Sequence, residues 1–193
     1  MPPSPAPDSD RTSLRRALLA ARKTWWASEA AAAAHDALAQ RLWDALVQLE
    51  PTCLGVYWAL PGEFNPNSLA LKAQRTLGCT LALPTSQKNP PAMHYRLWDG
   101  QPPRATDDHG IACADGREVR PDVLLVPCVG HTAGAIRLGY GGGYFDRYLA
   151  AHPEAVAIGL SWEIGLLPAD QLVAQAHDVP LMAVITERNT WSS

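Results

Sequence analysis

The chain has 193 residues, 47% of them hydrophobic and 18% charged, with a formal net charge of −3. That length suits one domain with a substantial core, and the composition is that of an ordinary folded protein. The slightly acidic balance excludes a generic attraction to nucleic acid or to an anionic membrane surface.

Residues 1–10, "MPPSPAPDSD", read as a Pro-rich disordered leader, with acids where a signal peptide would carry basic and then apolar residues. No apolar run approaches the ~20 residues that span a bilayer. The expectation is therefore a cytoplasmic chain without a membrane partner, its residues 11–193 forming one domain. From Ser13 a helical stripe of Leu14, Ala17, Leu18 and Ala21 begins. Ser28 is placed as the N-cap of a second, alanine-rich helix whose apolar face carries Leu38, Leu42, Ala45, Leu46 and Leu49, and Pro51 ends it.

Beyond Pro51 the period changes. Cys53–Leu60, Cys79–Pro84, Met93–Trp98, Asp122–Pro127, Ala155–Leu160 and Leu181–Thr186 are short strand candidates. Several are apolar throughout, as strands covered on both faces of a parallel sheet are. Helical segments at 66–77 and 143–151, and a weaker one at 169–174, separate some of them. This alternation predicts an α/β, single-domain three-layer sandwich with a mostly parallel central sheet flanked by helices. Met93–Trp98 alternates polar and apolar and suits an edge or hairpin strand. "TSQKNPP" and "DGQPPRATDDHG" read as polar loops. Cys53, Cys79, Cys113 and Cys128 are far apart, without a Cys-x-x-Cys pair, and read as reduced, mostly buried thiols. His35, His94, His109, His131 and His152 show no metal-ligand spacing.

One stretch stands apart, "IRLGYGGGYFDRYLA" over residues 136–150. Its glycines Gly139, Gly141, Gly142 and Gly143 connect a buried strand to a helix, the place where open α/β sheets bind ligands. Glycine lets backbone N–H groups turn toward an anion, and the helix start adds a favourable dipole. With Lys23, Lys72 and Lys88 the only lysines, arginine must carry most anion binding, and Arg137 and Arg147 bracket the loop. Asp146 cannot bind phosphate directly, which suggests a bridging magnesium ion. Neither G-x-G-x-x-G nor a Gly-Lys-Ser/Thr P-loop occurs here. A glycine turn that merely lets a helix pack closely is the alternative reading.

"RLGYGGGYFDRYL" closely resembles the signature of the 5-formyltetrahydrofolate cyclo-ligases, also called 5,10-methenyltetrahydrofolate synthetases. "RTSLRRAL", "YWALPGEFNP", "IGLSWE" and "AHDVPLMAVITE" resemble further segments of that family in order and spacing, so the likeness covers about residues 11 to 188. It implies an enzyme that uses ATP and Mg2+ to close 5-formyltetrahydrofolate into 5,10-methenyltetrahydrofolate, releasing ADP and phosphate. It also implies small-molecule partners only, and a monomer or weak homo-oligomer. By the same resemblance Arg137, Leu138, Gly139, Tyr140, Gly141, Gly142, Gly143, Tyr144 and Phe145 wrap the ATP phosphates, with Arg11 and Arg15 as basic nucleotide contacts. Trp58 and Glu63 serve the folate, bordered by Tyr140, the three consecutive glycines and Tyr144. Asp146 and Asp178 hold the metal, and Arg137, Tyr144 and Asp146 form the catalytic set.

Each has a structural reading too: a solvated helix face for Arg11 and Arg15, core for Trp58, a turn for Glu63, a cap for Asp178. His177 reads as a tie for its loop. The sequence departs from the family in four places. Gly142 stands where many relatives have lysine, Cys113 where a Glu is usual, Pro66 for a frequent Thr and Gly165 for a Gln. Two other classes share the layout, a sugar-phosphate isomerase-like enzyme and a non-catalytic folate- or nucleotide-binding relative.

Overall fold

The structure is a computed structural model that describes residues 8–192. The expected leader lies outside the described residues, save that the first helix already begins at Asp8. Helix α1 (Asp8–Trp26) and helix α2 (Ala30–Leu49) lead into strand β1 (Cys53–Gly55), helix α3 (Asn67–Leu77), β2 (Thr80–Gln87) and β3 (Ala92–Trp98). Three two-residue strands follow, β4 (Ala105–Thr106), β5 (Ala112–Cys113) and β6 (Glu118–Val119), then β7 (Val123–Pro127), β8 (Gly130–Thr132) and β9 (Arg137–Leu138). Helix α4 (Tyr144–Ala151), β10 (Val156–Leu160), β11 (Leu166–Leu167), β12 (Ala183–Ile185) and β13 (Thr190–Ser192) complete the order.

Eight strands form one sheet in the order β13-β12-β10-β7-β1-β2-β3-β6. The five central strands are parallel, and β13, β3 and β6 pair antiparallel at the margins. The period of two in a strand sorts its side chains onto two faces. Leu81 and Leu83, Val123 and Leu125, and Ile158 and Leu160 face α2 and α3, where Leu38, Leu42 and Leu46 are fully buried. Ala82, Leu124, Val126 and Ala157 face the other way, onto Tyr148 and Leu149 of α4. These are the three layers expected. A small sheet β11-β8-β9 lies apart, and its Leu138 and Leu167 pack on Leu14 and Leu18 of α1. This contact seats α1 beside the glycine connection.

Several boundaries differ from the sequence reading. Strand β1 stops at Gly55, and the continuation to Leu60 leaves the ladder after the Val56 N–H bonds the Ala82 carbonyl. Ser28 does not cap α2: its hydroxyl turns back to the Trp25 carbonyl, 2.6 Å away, and so closes the end of α1. No helix forms over 169–174. Gly165 has a packing reason, since a Cβ there would lie 3.1 Å from both Ser161 Oγ and the Val129 carbonyl. No helix among the described residues is long and apolar enough to cross a membrane.

The parallel strands are aligned at their amino ends by Asp122. Its carboxylate accepts the Thr52 and Cys53 N–H groups at 2.9 and 2.7 Å, tying β1 to the start of β7. Desolvation opposes the charge, but these backbone bonds outweigh it and hold the carboxyl below its ordinary range. Its stabilisation is therefore present at neutral pH and lost as acid protonates the group. Asp122→Ala is expected to cost about 1 kcal/mol in urea denaturation at pH 7. The difference from the parent should shrink in acid, and equal midpoints at pH 7 would refute the tie.

Candidate functional site

A cleft of about 460 Å³ opens where the carboxyl ends of β1, β2 and β7 meet the glycine loop and α1. It brings together Arg11, Arg15, Trp58, Glu63, Arg137, Gly139 through Phe145, Asp146 and Asp178, nearly every residue the sequence nominates. Leu138 alone of that set turns away: its side chain is fully buried against Leu167 and Leu172, and its carbonyl accepts the Val129 N–H.

Arg137 is the centre of charge. Its side chain is only 5% exposed, and Nη2 donates to Asp146 Oδ2 at 2.7 Å. Its Nε is buried without an acceptor. A buried unsatisfied donor on a permanent cation is costly and calls for an anion. The backbone makes room for one. A Cβ at Gly139 would lie 2.6 Å from Arg137 Nη1, so a larger residue would displace the guanidinium. Gly141 and Gly143 have φ of 96° and 64°, which other residues rarely adopt. Gly143 is the N-cap of α4 and offers no side-chain acceptor, so the first N–H groups of α4 lack a side-chain cap. Gly142 also suits its place, because a Cβ there would come within 2.8 Å of the Tyr144 ring.

Arg11 and Arg15 reach the cleft from α1, one turn apart. Arg11 is not a solvated surface residue: it makes a two-pronged pair with Asp178, at 3.1 Å to Oδ1 and 2.6 Å to Oδ2, and also bonds the Val173 carbonyl. Burial works against the Asp178 charge, yet Arg11 and the Gln175 amide hold its carboxyl below the ordinary range. Arg15 Nε donates to the Gly139 carbonyl at 2.8 Å and so holds the glycine loop to α1.

The opposite wall carries Trp58, edge-on to Trp98, and the turn bearing Glu63. Glu63 is buried. Its Oε2 accepts the Leu60 N–H at 2.7 Å, and its Oε1 accepts a hydrogen bond from the Tyr140 hydroxyl. Desolvation pushes its carboxyl up, against the pull of Tyr140, Leu60 and Arg22.

Sequence reasoning missed one wall altogether. The "DGQPPRATDDHG" segment belongs to the hairpin β4–β5, whose turn places Asp107, His109 and Ile111 in the cleft. Asp107 braces the turn by accepting the Ser86, His109 and Ile111 amides. His109 Nε2 then meets the Tyr144 hydroxyl at 2.7 Å, and that hydroxyl lies 3.2 Å from the Gln87 carbonyl. The signal available was the Asp-Asp-His-Gly turn chemistry, which marks a loop but not its target. His177 is no loop tie: its side chain is 69% exposed on the cleft rim beside Asp178. His131 is fully buried and pushed down to about 4 by desolvation, a neutral partner of Ser161 outside the cleft.

Among the described residues no cluster of three His, Cys, Asp or Glu side chains forms a closed metal site. A carboxylate accepts about four hydrogen bonds. Asp146 uses one on Arg137, whereas Asp178 uses three on Arg11 and Gln175, so Asp146 keeps more room for a cation. The donor set fits a hard divalent ion completed by ligand oxygens and water.

A sequence model of the 5-formyltetrahydrofolate cyclo-ligase family matches residues 7–187. Over 83 residues the chain is 35% identical to the 5-formyltetrahydrofolate cyclo-ligase of Escherichia coli (strain K12), and equally to that of Escherichia coli O157:H7. That stretch is 40% of this chain and 44% of each relative, so it spans under half of the curated relatives' length. A solved 5,10-methenyltetrahydrofolate synthetase from Mycoplasma pneumoniae superposes with a TM-score of 0.73 at 18% identity, covering 93% of this chain and 99% of that one. The NMR structure of the Aquifex aeolicus 5,10-methenyltetrahydrofolate synthetase gives 0.71 at 23% identity, covering 94% and 92%. At these identities the two structures speak to the fold.

The Arg11–Asp178 pair predicts its own loss. Asp178→Asn is expected to lower stability by about 2 kcal/mol in denaturant titration, without any ligand present. Hydrogen exchange in α1 should quicken at the same time, and unchanged exchange there would refute the clasp.

Proposed function

The chain belongs to the 5-formyltetrahydrofolate cyclo-ligase family, and on that premise we propose that it closes 5-formyltetrahydrofolate to 5,10-methenyltetrahydrofolate at the expense of ATP, with magnesium, releasing ADP and phosphate. The observation that carries this reading is the buried, under-satisfied Arg137 at a glycine-rich backbone loop. A triphosphate supplies the acceptors that Arg137 lacks, and the cleft beside it is also lined by Trp58 and the Glu63 carboxylate.

The chemistry explains why the cleft needs both halves. A formamide oxygen is a poor leaving group. Transfer of the γ-phosphoryl group to it expels ADP and gives an iminium phosphate. N10 then attacks the activated carbon and gives up its proton, and phosphate departs with the C–O bonding pair. Such a reaction asks chiefly for alignment and charge neutralisation. Arg137 neutralises phosphate charge through Nε and Nη1, while Arg11 and Arg15 approach from α1. The amides of the Gly139–Phe145 loop turn to the phosphate oxygens. Asp146 and, through its remaining acceptor position, Asp178 would hold the magnesium ion. When bound, that ion spreads the negative charge of the phosphates. Glu63 accepts N–H groups of the pterin, Trp58 covers the ring system, and Tyr144, held by His109, borders the formyl-bearing edge.

Mixing the protein with 5-formyltetrahydrofolate, magnesium and ATP should raise the near-ultraviolet absorbance of the methenyl product. A flat trace, with no heat of Mg-ATP binding, would overturn the proposal. Arg137→Ala should lower turnover on the order of a hundredfold and weaken ATP far more than folate; equal loss of both would point to misfolding. Asp146→Ala should raise the magnesium concentration needed for half-maximal rate, and an unchanged requirement would remove Asp146 from the metal site.

A further inference from the structure

Arg22 lies outside the cleft and belongs to no motif in the sequence, yet it is buried, with 7% exposure. Its stem packs under the turn that carries Glu63: a Cβ at Gly62 would lie 3.6 Å from Arg22 Nε. The far side of this turn is pinned by Trp162, whose Nε1 donates to the Gly62 carbonyl at 2.8 Å. The guanidinium lies 5.8 Å from the centre of the Tyr140 ring, and Nη2 is 2.7 Å from the Tyr140 hydroxyl.

The direction of these bonds is fixed by chemistry. A guanidinium only donates and a phenol has one hydrogen. The Tyr140 oxygen therefore accepts from Arg22, and its hydrogen goes to Glu63 Oε1. The Leu60 amide occupies Oε2. Two of about four acceptor positions on Glu63 are left for the cleft that it lines. Charge-assisted bonds in series polarise one another where water is scarce.

We propose that Arg22 is a positioning residue for the folate site, acting through the Tyr140 hydroxyl to hold the Glu63 carboxylate anionic and aimed at the adjacent N–H donors of a reduced pterin. This rests on the reading of the cleft given above. The groups facing Glu63 are Arg22 from α1, Tyr140 from the glycine loop, Tyr57 beyond β1 and Cys128 beyond β7. Tyr57 donates elsewhere, to the Phe64 carbonyl, and the buried Cys128 thiol, pushed up to about 12, stays neutral. Arg22 is thus the one cation of the set. A Glu63 that must be anionic to accept pterin N–H groups loses its ligand as pH falls through its own titration. Burial already raises the Glu63 carboxyl; without Arg22 or the Tyr140 hydroxyl it meets less opposition, and that loss begins at still higher pH.

The test uses the full-length protein, Arg22→Met and Tyr140→Phe, and two readouts. The first is the carboxyl-carbon NMR titration of Glu63 in the free protein, assigned with Glu63→Gln. The second is calorimetric affinity for 5-formyltetrahydrofolate across pH without ATP. In both variants Glu63 should titrate at higher pH than in the parent. Folate should bind about tenfold more weakly at neutral pH, with its acid-side loss moved upward. Arg22→Lys should restore part of both. Tyr140→Phe keeps the ring and decides the outcome should Arg22→Met fold poorly. Unmoved titration and binding profiles in a folded variant would overturn the relay. A parent that does not bind the folate would instead fail the reading of the cleft, and the carboxyl titration would still judge the relay.

Discussion

A guanidinium cannot shed its proton at any accessible pH. Burying Arg137 beneath a loop therefore commits the fold to a permanent positive charge in a place poor in water. Asp146 offsets part of it, and the orphaned Nε shows that the offset is incomplete. Much of the cleft answers that constraint. The loop above has no side chain at Gly139 because the guanidinium fills the space, and Arg15 fastens the same residue's carbonyl to α1. A protein that only needed α4 to pack would have no reason to strand a cation there.

The three layers supply the rigidity that such a charge demands. Strands with one face on α2 and α3 and the other on α4 have no freedom to slip, since a shift by one residue would exchange the two faces. Their carboxyl ends thus present Trp58, Ser86 and Pro127 at fixed heights around one hollow. Elements outside the main sheet then tune the hollow. Helix α1 brings Arg11, Arg15 and Arg22 to three different tasks: clasping the loop before β12, anchoring the glycine loop, and backing the carboxylate opposite.

Much of this was legible in the residues. Apolar runs marked the parallel strands, the alternation in Met93–Trp98 marked an antiparallel neighbour, and the glycine stretch marked a connection that lines the cleft. Strand ends were not legible, because Val56–Leu60 is as apolar as β1 and only the lack of a continuing ladder ends it. Ser28 was ambiguous, for a hydroxyl at a helix junction can serve the helix before it as well as the one after. His109 and Arg22 left no trace of their roles. Two-residue strands carry no periodicity, and an arginine on a helix looks solvated until a turn from elsewhere covers it.

The clasp between Arg11 and Asp178 joins positions 167 residues apart. A ribosome releases the first long before the second, so the nascent polypeptide carries an unmatched cation while the intervening residues are made. The hollow gains its final shape only when the loop before β12 emerges. A chain that stops short of Asp178 thus lacks the wall that this residue lends the hollow.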